Sequence, residues 1–526
     1  MSNAVAAMRQ NYLFLLFFVT FLRKIYAWDK PCLTRQANTS YVCVCSATYC
    51  DEVTREKPKL GTFYTYTTTQ DGLRFEKSFN LLTQYVDDSS EAAYGDCNIL
   101  EVDPYTRYQT IEGFGGAVTD SAGINWKSLK DLRLRKNLVE SYFGRSGIGY
   151  NMIRVPVGGC DFSTRPYAYN ELPVNDAKLG NFSLAFEDYE FKIPLIQEAM
   201  KTSLEPIHLV ASTWSPPLWM KDPSEISGLN RLREQFYQTY ADYHLKFIQK
   251  YAEKDIPIWA VTTTNEPLSG IMSLGHNNGL GWTTKGMGKW IANNLGPTLR
   301  KSPFNVKILV GDDMRFTVPL WFNTVLDDTP EALDFIDGIA VHFYYDDTNP
   351  PSLLNEPLQK YPGKFVIYTE ACNGIQTTPP VLLGSWERAI KYLKNIIEDL
   401  NYNVVGWIDW NMCLNSEGGP NYISNFVDSP IIVFPERGEF IKQPMFYALG
   451  HISKFFTRGS QRIEINRQKC CNVDNVAVVT PDDTIVVVLY NGDNKHIEIS
   501  IKLGDGIAAV VLPPNSIVTV ELPNFV

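Results

Sequence analysis

No cluster of lysine and arginine interrupts the 526-residue chain, and its 48 basic side chains are outnumbered by 58 acidic ones. With a formal charge of −10 and a pI near 5.3, the chain carries no electrostatic footprint for nucleic acid, which is excluded as a partner. Histidine is scarce, six in all, and only His342 falls at the end of a β-like run. No metal-ligating cluster is visible, so no metal is expected. There is no Ser-His-Asp elbow, no phosphate-cradling loop and no dinucleotide fingerprint in a fitting context, so no cofactor is expected either. Gly113-Phe114-Gly115-Gly116 is rich in glycine, but Ala-Val-Thr-Asp follows it rather than a Lys/Ser pair, and it reads as a tight turn. Beyond residue 22 no apolar run approaches the ~20 residues of a membrane helix. Fixed-period repeats, low-complexity stretches and blocks of like charge are also missing, and with 44% hydrophobic residues the chain is neither disordered nor collagenous.

What is present begins with an address. Tyr12–Leu22 is apolar throughout, follows Arg9 and precedes a small residue, Ala27. It is too short to span a bilayer and reads as the core of a signal peptide over residues 1–27. Arg23 and Lys24 behind it keep an uncleaved anchor as the alternative. Cys32, Cys43, Cys45 and Cys50 crowd the following stretch, which in an oxidising compartment gives two disulfides with three possible connectivities. A zinc knuckle is the competing reading, weakened by the lack of a nearby histidine. Asn38 and Asn181 are N-glycosylation sequons.

The middle of the chain alternates β-like runs with helical stretches. The runs lie at Thr110–Ala117, Tyr150–Val157, Ile207–Ser212, Trp259–Thr264, Val306–Val310, Gly338–Phe343, Phe365–Tyr368 and Val404–Ile408, with helical segments such as Leu232–Ala252, Lys285–Leu295 and Ser385–Leu400 between them. Eight strands alternating with helices predict a (β/α)8 TIM barrel, an α/β fold. The flanks, Leu60–Leu82 and Val476–Leu522, instead alternate apolar with polar and carry hairpin signals at Gln70-Asp71-Gly72 and Asn491-Gly492-Asp493-Asn494. Together they supply enough strands for one all-β domain drawn from both sides of the barrel, with the cysteine-rich segment in a further small N-terminal β-sheet.

Catalytic groups of such barrels sit at the C-terminal ends of the strands. The fourth run ends Asn265-Glu266-Pro267 and the seventh Thr369-Glu370-Ala371. Two carboxyl groups at one mouth suit glycoside hydrolysis: one protonated to assist the leaving oxygen, one ionised to attack or to activate water. The second run offers Arg154 and then Asp161-Phe162, the third Trp214, the sixth His342 and Tyr344, the eighth Trp410. Aromatic faces stack on a pyranose, and Asp and Asn bind its hydroxyls.

At these residues the chain resembles glycoside hydrolase family 30, in its glucosylceramidase branch. The resemblance is carried by VCVCSATYCD at 42–51, GFGGAVTD at 113–120, GIGYNMIRVPVGGCDFS at 147–163, TTTNEP at 262–267, GIAVHFY at 338–344, TEAC at 369–372 and KQPMFYALGHISKF at 442–455. It implies a retaining β-glucosidase of the lysosome acting on glucosylceramide, with an immunoglobulin-like β-domain beside the barrel. Glu266 would be the acid/base and Glu370 the nucleophile. Asp161, Trp214, Asn265, Trp410 and Asn425 would hold the glucose, with Phe162 and Tyr344 at its edges; Arg154 would orient Glu370, and His342 would stand behind the carboxyls. Cys32–Cys43 and Cys45–Cys50 would be the disulfides. The implied division is 28–58 plus about 411–443 for the small sheet, about 59–109 plus 460–526 for the β-domain, and about 110–410 plus 444–459 for the barrel.

There are departures from the family. Ser46 replaces its glycosylated Asn in the cysteine cluster, and the loop after Glu370 (CNGIQTTPP) lacks its aromatics. Cys97, Cys470 and Cys471 are additions in the β-domain, where a third disulfide from Cys97 to Cys470 or Cys471 is expected. Other activities within the family, a β-xylosidase or a β-1,6-glucanase, and a catalytically silent glycolipid-binding protein are the rival readings. The acidity bears on partners as well: near pH 5 the chain loses its net charge, which favours peripheral contact with an anionic lipid membrane, and the resemblance admits a saposin-like activator.

Overall fold

The eight runs form the strands of a closed barrel in a computed structural model that describes residues 29–84, 98–272, 278–467 and 473–524. They are β1 Gly113–Ala117, β2 Met152–Val157, β3 His208–Thr213, β4 Ile258–Thr262, β5 Lys307–Met314, β6 Gly338–His342, β7 Phe365–Glu370 and β8 Val404–Asn411. Each pairs in parallel with the next, and β8 closes on β1. The interior is filled by Met152, Val210, Ala260, Leu309, Ala340, Ile367, Val405 and Ile408, all buried, from seven of the eight strands. The strand without a member is β1, which is glycine where the others carry side chains.

That corrects the reading of Gly113–Gly116 as a turn: the glycines lie in a strand because its neighbours come too close for side chains. A Cβ on Gly115 would sit 2.0 Å from the Met152 carbonyl oxygen, and one on Gly406 in β8 would sit 2.5 Å from the Gly113 oxygen. Glycine runs suit close backbone approach as well as turns.

The outer helices follow from apolar spacing. Trp386–Asn401, between β7 and β8, starts with the Ser385 hydroxyl accepting from the Arg388 N–H and buries Ala389, Ile390, Leu393, Ile396, Ile397 and Leu400. This is the i, i+3, i+4 stripe of a helix lying on a sheet. Tyr237–Ala252, between β3 and β4, buries Tyr240, Tyr243, Phe247, Ile248 and Tyr251 in the same way.

Strands from both flanks join in one ten-stranded β-structure, in the order Glu76–Leu81, Thr62–Thr69, Ser516–Pro523, Thr484–Asn491, Val473–Val479, Gln461–Arg467, Asn98–Thr110, Ile497–Leu503, Gly506–Leu512 and Thr83–Gln84. Its own core gathers Phe63, Leu100, Val102, Val487, Ile501 and Val520. The turn at Gln70–Gly72 does join paired strands. The one at Asn491–Asn494 does not: Thr484–Asn491 lies between Val473–Val479 and Ser516–Pro523, while Ile497–Leu503 pairs elsewhere. Asn491 turns the chain away by donating from Nδ2 to the Pro513 carbonyl (2.7 Å) and accepting from the Asp493 N–H (2.9 Å), so its local turn signal serves a crossover.

A five-stranded sheet combines the N-terminal hairpin, Thr34–Ala37 and Ser40–Ser46, with Glu439–Lys442, Ile431–Phe434 and Cys413–Asn415. Of the three connectivities open to the four cysteines, Cys32–Cys43 and Cys45–Cys50 are formed, with Cα separations of 5.2 and 4.4 Å. Asn38 and Asn181 are both exposed. The signal peptide and the Cys97–Cys470 pairing fall outside the described residues. Among those described, no helix is long and apolar enough to cross a membrane.

Gly115→Ala is expected to cost about 3 kcal/mol, since overpacking against rigid backbone has no flexible neighbour to yield. Gly279→Ala, where a Cβ meets nothing within 4 Å, should be close to neutral. Equal thermal midpoints for the two variants would contradict the close-approach account.

Candidate active site

Glu370 is the last residue of β7, and Glu266 sits in the loop that leaves β4. Glu266 has a left-handed backbone, φ 42°, and its N–H donates to the Asp312 carbonyl at 2.9 Å. A non-glycine residue in that region stores about 1–3 kcal/mol and persists where its surroundings hold it. Here the Asn265 N–H is also pinned, to the Thr213 carbonyl at 2.9 Å. The consequence is that consecutive side chains, Asn265 and Glu266, both enter the polar network of the barrel mouth.

The network centres on Arg154, wholly buried in β2. Its Nη1 donates to Glu370 Oε2 at 2.5 Å, and its Nη2 to Asn265 Oδ1 at 2.8 Å and Asp312 Oδ2 at 2.9 Å. The guanidinium lies 4.8 and 5.1 Å from the ring centres of Trp214 and Trp410, which stack with their ring centres 5.2 Å apart. The other Glu370 oxygen, Oε1, accepts from the Tyr344 hydroxyl at 2.8 Å. Both carboxylate oxygens of Glu370 are thus oriented by protein donors.

His342 joins the two carboxylate arms. One ring nitrogen lies 3.2 Å from Glu266 Oε1 and the other 3.1 Å from Asp312 Oδ1. Burial opposes charge on this ring, but Glu370, Asp312 and Glu266 overcome it and raise the His342 pKa to about 10. The imidazole is therefore a cation donating from both nitrogens. Asp312 accepts from Arg154, His342, Ser212, Thr262 (2.8 Å) and Thr369 (2.7 Å). Burial works against its charge as well, yet Arg154 and His342 hold its carboxyl far below the usual carboxylate range.

Oxygen atoms of Glu266 and Glu370 and a ring nitrogen of His342 lie within 4.8 Å of one another. The spacing would admit a metal ion, which scattered histidines had not suggested. The chemistry argues otherwise, because a doubly donating imidazolium has no lone pair to offer. The second such group, Cys45, Cys50 and Asp51, is ruled out because its two sulfurs are joined to each other.

The remaining sugar-binding candidates meet on the far side of Trp410. Phe162 packs edge-on to it at 6.0 Å. Asp161 Oδ2 accepts from Asn421 and Asn425, each at 3.4 Å, while its Oδ1 has no partner among the described residues. Burial and the nearby Glu370 charge push Asp161 up to about 7. The structure thus brings all seven candidate sugar ligands and both candidate catalytic residues to one mouth. Sequence reasoning missed Asp312 and Asn421. Asp312 had a signal, since Gly311-Asp312-Asp313 directly follows the fifth run; Asn421 had none apart from its nearness to Asn425.

Burial raises several carboxyls, among them Asp120 to about 6, Asp161 and Asp313 to about 7, and Asp409 to about 8. An acid that binds its proton more tightly when folded contributes stability below its unfolded value, near 3.9, and loses it as pH rises through the folded value. His342, also raised, gives up stability in the same direction above about 6.5. His244 and His451, pulled by burial to about 4 and about 3, act in the opposite direction only below about 6.5. The thermal midpoint should therefore drop between pH 6 and pH 8, and Asp409→Asn should reduce the drop. A midpoint that rises over this interval would refute the assignment.

Comparison with known proteins agrees with this fold. The Glycosyl hydrolase family 30 TIM-barrel domain matches residues 111–456 and the family's beta sandwich domain residues 459–520. The chain is 41% identical over 511 residues to the lysosomal acid glucosylceramidase of Mus musculus, covering 95% of this chain and 97% of that one. It is 39% identical over 487 residues to putative glucosylceramidase 3 of Caenorhabditis elegans, covering 91% and 92%. Among solved structures, SrfJ from Salmonella typhimurium superposes with a TM-score of 0.79 at 25% identity, over 88% of this chain and 99% of that one. With both domains matched in order and the two carboxyls facing each other at the barrel mouth, the chain belongs to glycosyl hydrolase family 30.

Proposed function

We propose that the chain is a retaining β-glucosidase that hydrolyses glucosylceramide to glucose and ceramide, in the lysosome. The observation that carries the mechanism is the approach of Glu266 and Glu370 to within 4.8 Å. Retaining enzymes keep their carboxyls about 5–5.5 Å apart, whereas inverting ones leave about 6.5–9.5 Å for a water between them. The choice of lipid rests on the similarity to the mouse and nematode proteins.

Glu370, oriented by Arg154 and Tyr344, attacks the anomeric carbon while Glu266 protonates the departing ceramide oxygen. Glu266 then takes a proton from the water that breaks the glucosyl ester. With Arg154 and His342 positive and Asp312 negative, the network is neutral when one of the two glutamates carries a proton, the state the first step requires. Asn265 is held by Arg154 through Oδ1, and its Nδ2 has no acceptor among the described residues. It is free to donate to the sugar 2-hydroxyl, where hydrogen bonds strengthen in the transition state. Asp161 Oδ1 accepts from a second hydroxyl, and the Trp214 and Trp410 wall excludes water.

Glu370→Gln should abolish turnover of every substrate. Glu266→Gln should cost at least 100-fold on glucosylceramide and far less on aryl glucosides with good leaving groups. Equal losses on both substrate types would contradict these roles, and turnover of β-1,6-glucan in place of glucosylceramide would move the chain to another activity of the family.

Membrane contact, with or without a saposin-like activator, belongs to the same reading. Phe316, Leu320 and Tyr345 are exposed on segments that leave β5 and β6, and Tyr345 adjoins the Tyr344 that bonds to Glu370. Binding to anionic liposomes should strengthen as pH falls from 7 to 5, when the −10 charge is discharged; binding that weakens over this range would oppose it.

A further inference from the structure

The chain that carries Glu266 out of β4 has few points at which it can be held. Glu266 is followed by Pro267, which has no N–H, so the next backbone donor along the loop is that of Leu268. A side chain of β5 takes it: the Leu268 N–H donates to Asp313 Oδ2 at 3.1 Å. Ahead of the proline, the Glu266 N–H donates to the Asp312 carbonyl at 2.9 Å. Two consecutive residues of β5 therefore grip the chain on either side of Pro267, Asp312 by its main chain and Asp313 by its carboxyl. Pro267 adds only its carbonyl, which accepts the Trp282 N–H at 3.4 Å.

The end of β5 departs from regular strand where it makes this grip. Gly311 and Asp312 both have left-handed backbone, φ 94° and 57°, and the pairing with β6 slips between Gly311 and Asp313. Asp312 is the extra residue of a bulge, a feature that re-aims side chains beside active sites. Asp312 serves the Arg154 network, while Asp313 serves the loop after β4. The second Asp313 oxygen, Oδ1, accepts the Met314 N–H at 2.8 Å, which fixes the orientation of the carboxyl. Asp313 is 3% exposed, and the charges acting on it are those of Glu266 and His342 rather than a lysine or arginine. A buried carboxyl without a cation at its side is costly. This one is retained against the loop that carries the acid/base.

We propose that Asp313 is a positioning residue for Glu266, clamping the Leu268 N–H so that the acid/base carboxyl stays within reach of the glycosidic oxygen and of the attacking water. The assignment rests on the retaining mechanism given above. Without the clamp, the loop beyond Pro267 loses its side-chain tie to β5. Glu370 is held by Arg154 and Tyr344 from other strands and keeps its place. Loss of Asp313 should accordingly weaken both steps that Glu266 serves and spare the attack by Glu370.

The test compares Asp313→Ala and Asp313→Asn with the parent protein on two aryl β-glucosides. Phenyl β-glucoside needs a proton on its departing oxygen; dinitrophenyl β-glucoside does not. In Asp313→Ala, kcat/KM for the phenyl glucoside should fall about 10-fold or more, part of the roughly 100-fold that acid–base catalysis supplies, and that for the dinitrophenyl glucoside should stay within about 2-fold. On the dinitrophenyl glucoside kcat and KM should fall together, since the glucosyl ester then waits for water that lacks a well-placed base. Azide should restore that kcat. It attacks the anomeric carbon, the ester bond breaks with its electron pair going to the Glu370 carboxylate, and glucosyl azide leaves with no proton to remove. Asp313→Asn keeps one acceptor oxygen for the Leu268 N–H and should show the same pattern with smaller losses; thermal midpoints confirm that the variants fold, and Asp313→Asn carries the comparison if Asp313→Ala does not. Equal loss of kcat/KM on both glucosides with no response to azide marks a merely structural role and overturns the proposal, as do unchanged kinetics in both variants. A parent protein inactive on both glucosides overturns the glycosidase reading itself, and this assignment with it.

Discussion

The buried ion pair between Arg154 and Asp312 is the contact from which the barrel mouth is organised. Through Asp312 it draws together Arg154 of β2, Ser212 of β3, Thr262 of β4, His342 of β6 and Thr369 of β7, so that one carboxylate on β5 accepts from five other strands. Desolvating two charges is expensive, and a buried pair is no automatic gain in stability. What this pair gains is position. Because the Asp312 oxygens are saturated with donors, Arg154 has a fixed place from which its other nitrogen reaches Glu370, and His342 has a fixed ring from which to reach Glu266. The two candidate catalytic carboxyls are thereby held by opposite ends of one charged network, in which Arg154 also pairs with Glu370 and Asp312 also pairs with His342.

The aromatic wall depends on the same pair. Trp214, the residue after β3, and Trp410 of β8 stack where Arg154 presents its guanidinium. A cation over an indole is attracted to the ring face, more strongly as water is excluded. The apolar surface proposed for the sugar is thus the other side of the surface that shields the ion pair, and recognition and charge placement share residues.

The smaller sheet contributes at a distance. Cys413–Asn415 continues from the end of β8 and pairs in parallel with Ile431–Phe434, and the intervening loop carries Asn421 and Asn425 to Asp161. That pairing pins the loop at both ends. Ile431–Phe434 pairs with Glu439–Lys442, and that strand with Ser40–Ser46, the strand that holds two of the disulfide cysteines. A segment near residue 45 therefore buttresses a loop near residue 425, which gives the disulfide-stapled hairpin a part in shaping the pocket.

Local pattern alone carried the eight barrel strands, the helices between them and the two glutamates at strand ends, because period and run length are properties of neighbouring residues. It misread Gly113–Gly116, where the need for glycine comes from a strand 37 residues away at Met152, and Asn491–Asn494, where a turn signal reveals the bend but not the partner strand. The disulfide pairing came from resemblance, since four cysteines in twenty residues are compatible with three topologies. Asp312 was passed over although it stands at the end of the fifth run, because nothing in Gly-Asp-Asp says that five donors converge on one of the two aspartates. The sequence by itself determined which chemical groups this protein owns and roughly where along each strand they stand. Only the tertiary structure decided which of them meet and in what state of charge: an imidazole becomes a lasting cation, and an aspartate a lasting anion, through neighbours a few ångströms away that closure of the barrel brings from distant parts of the chain.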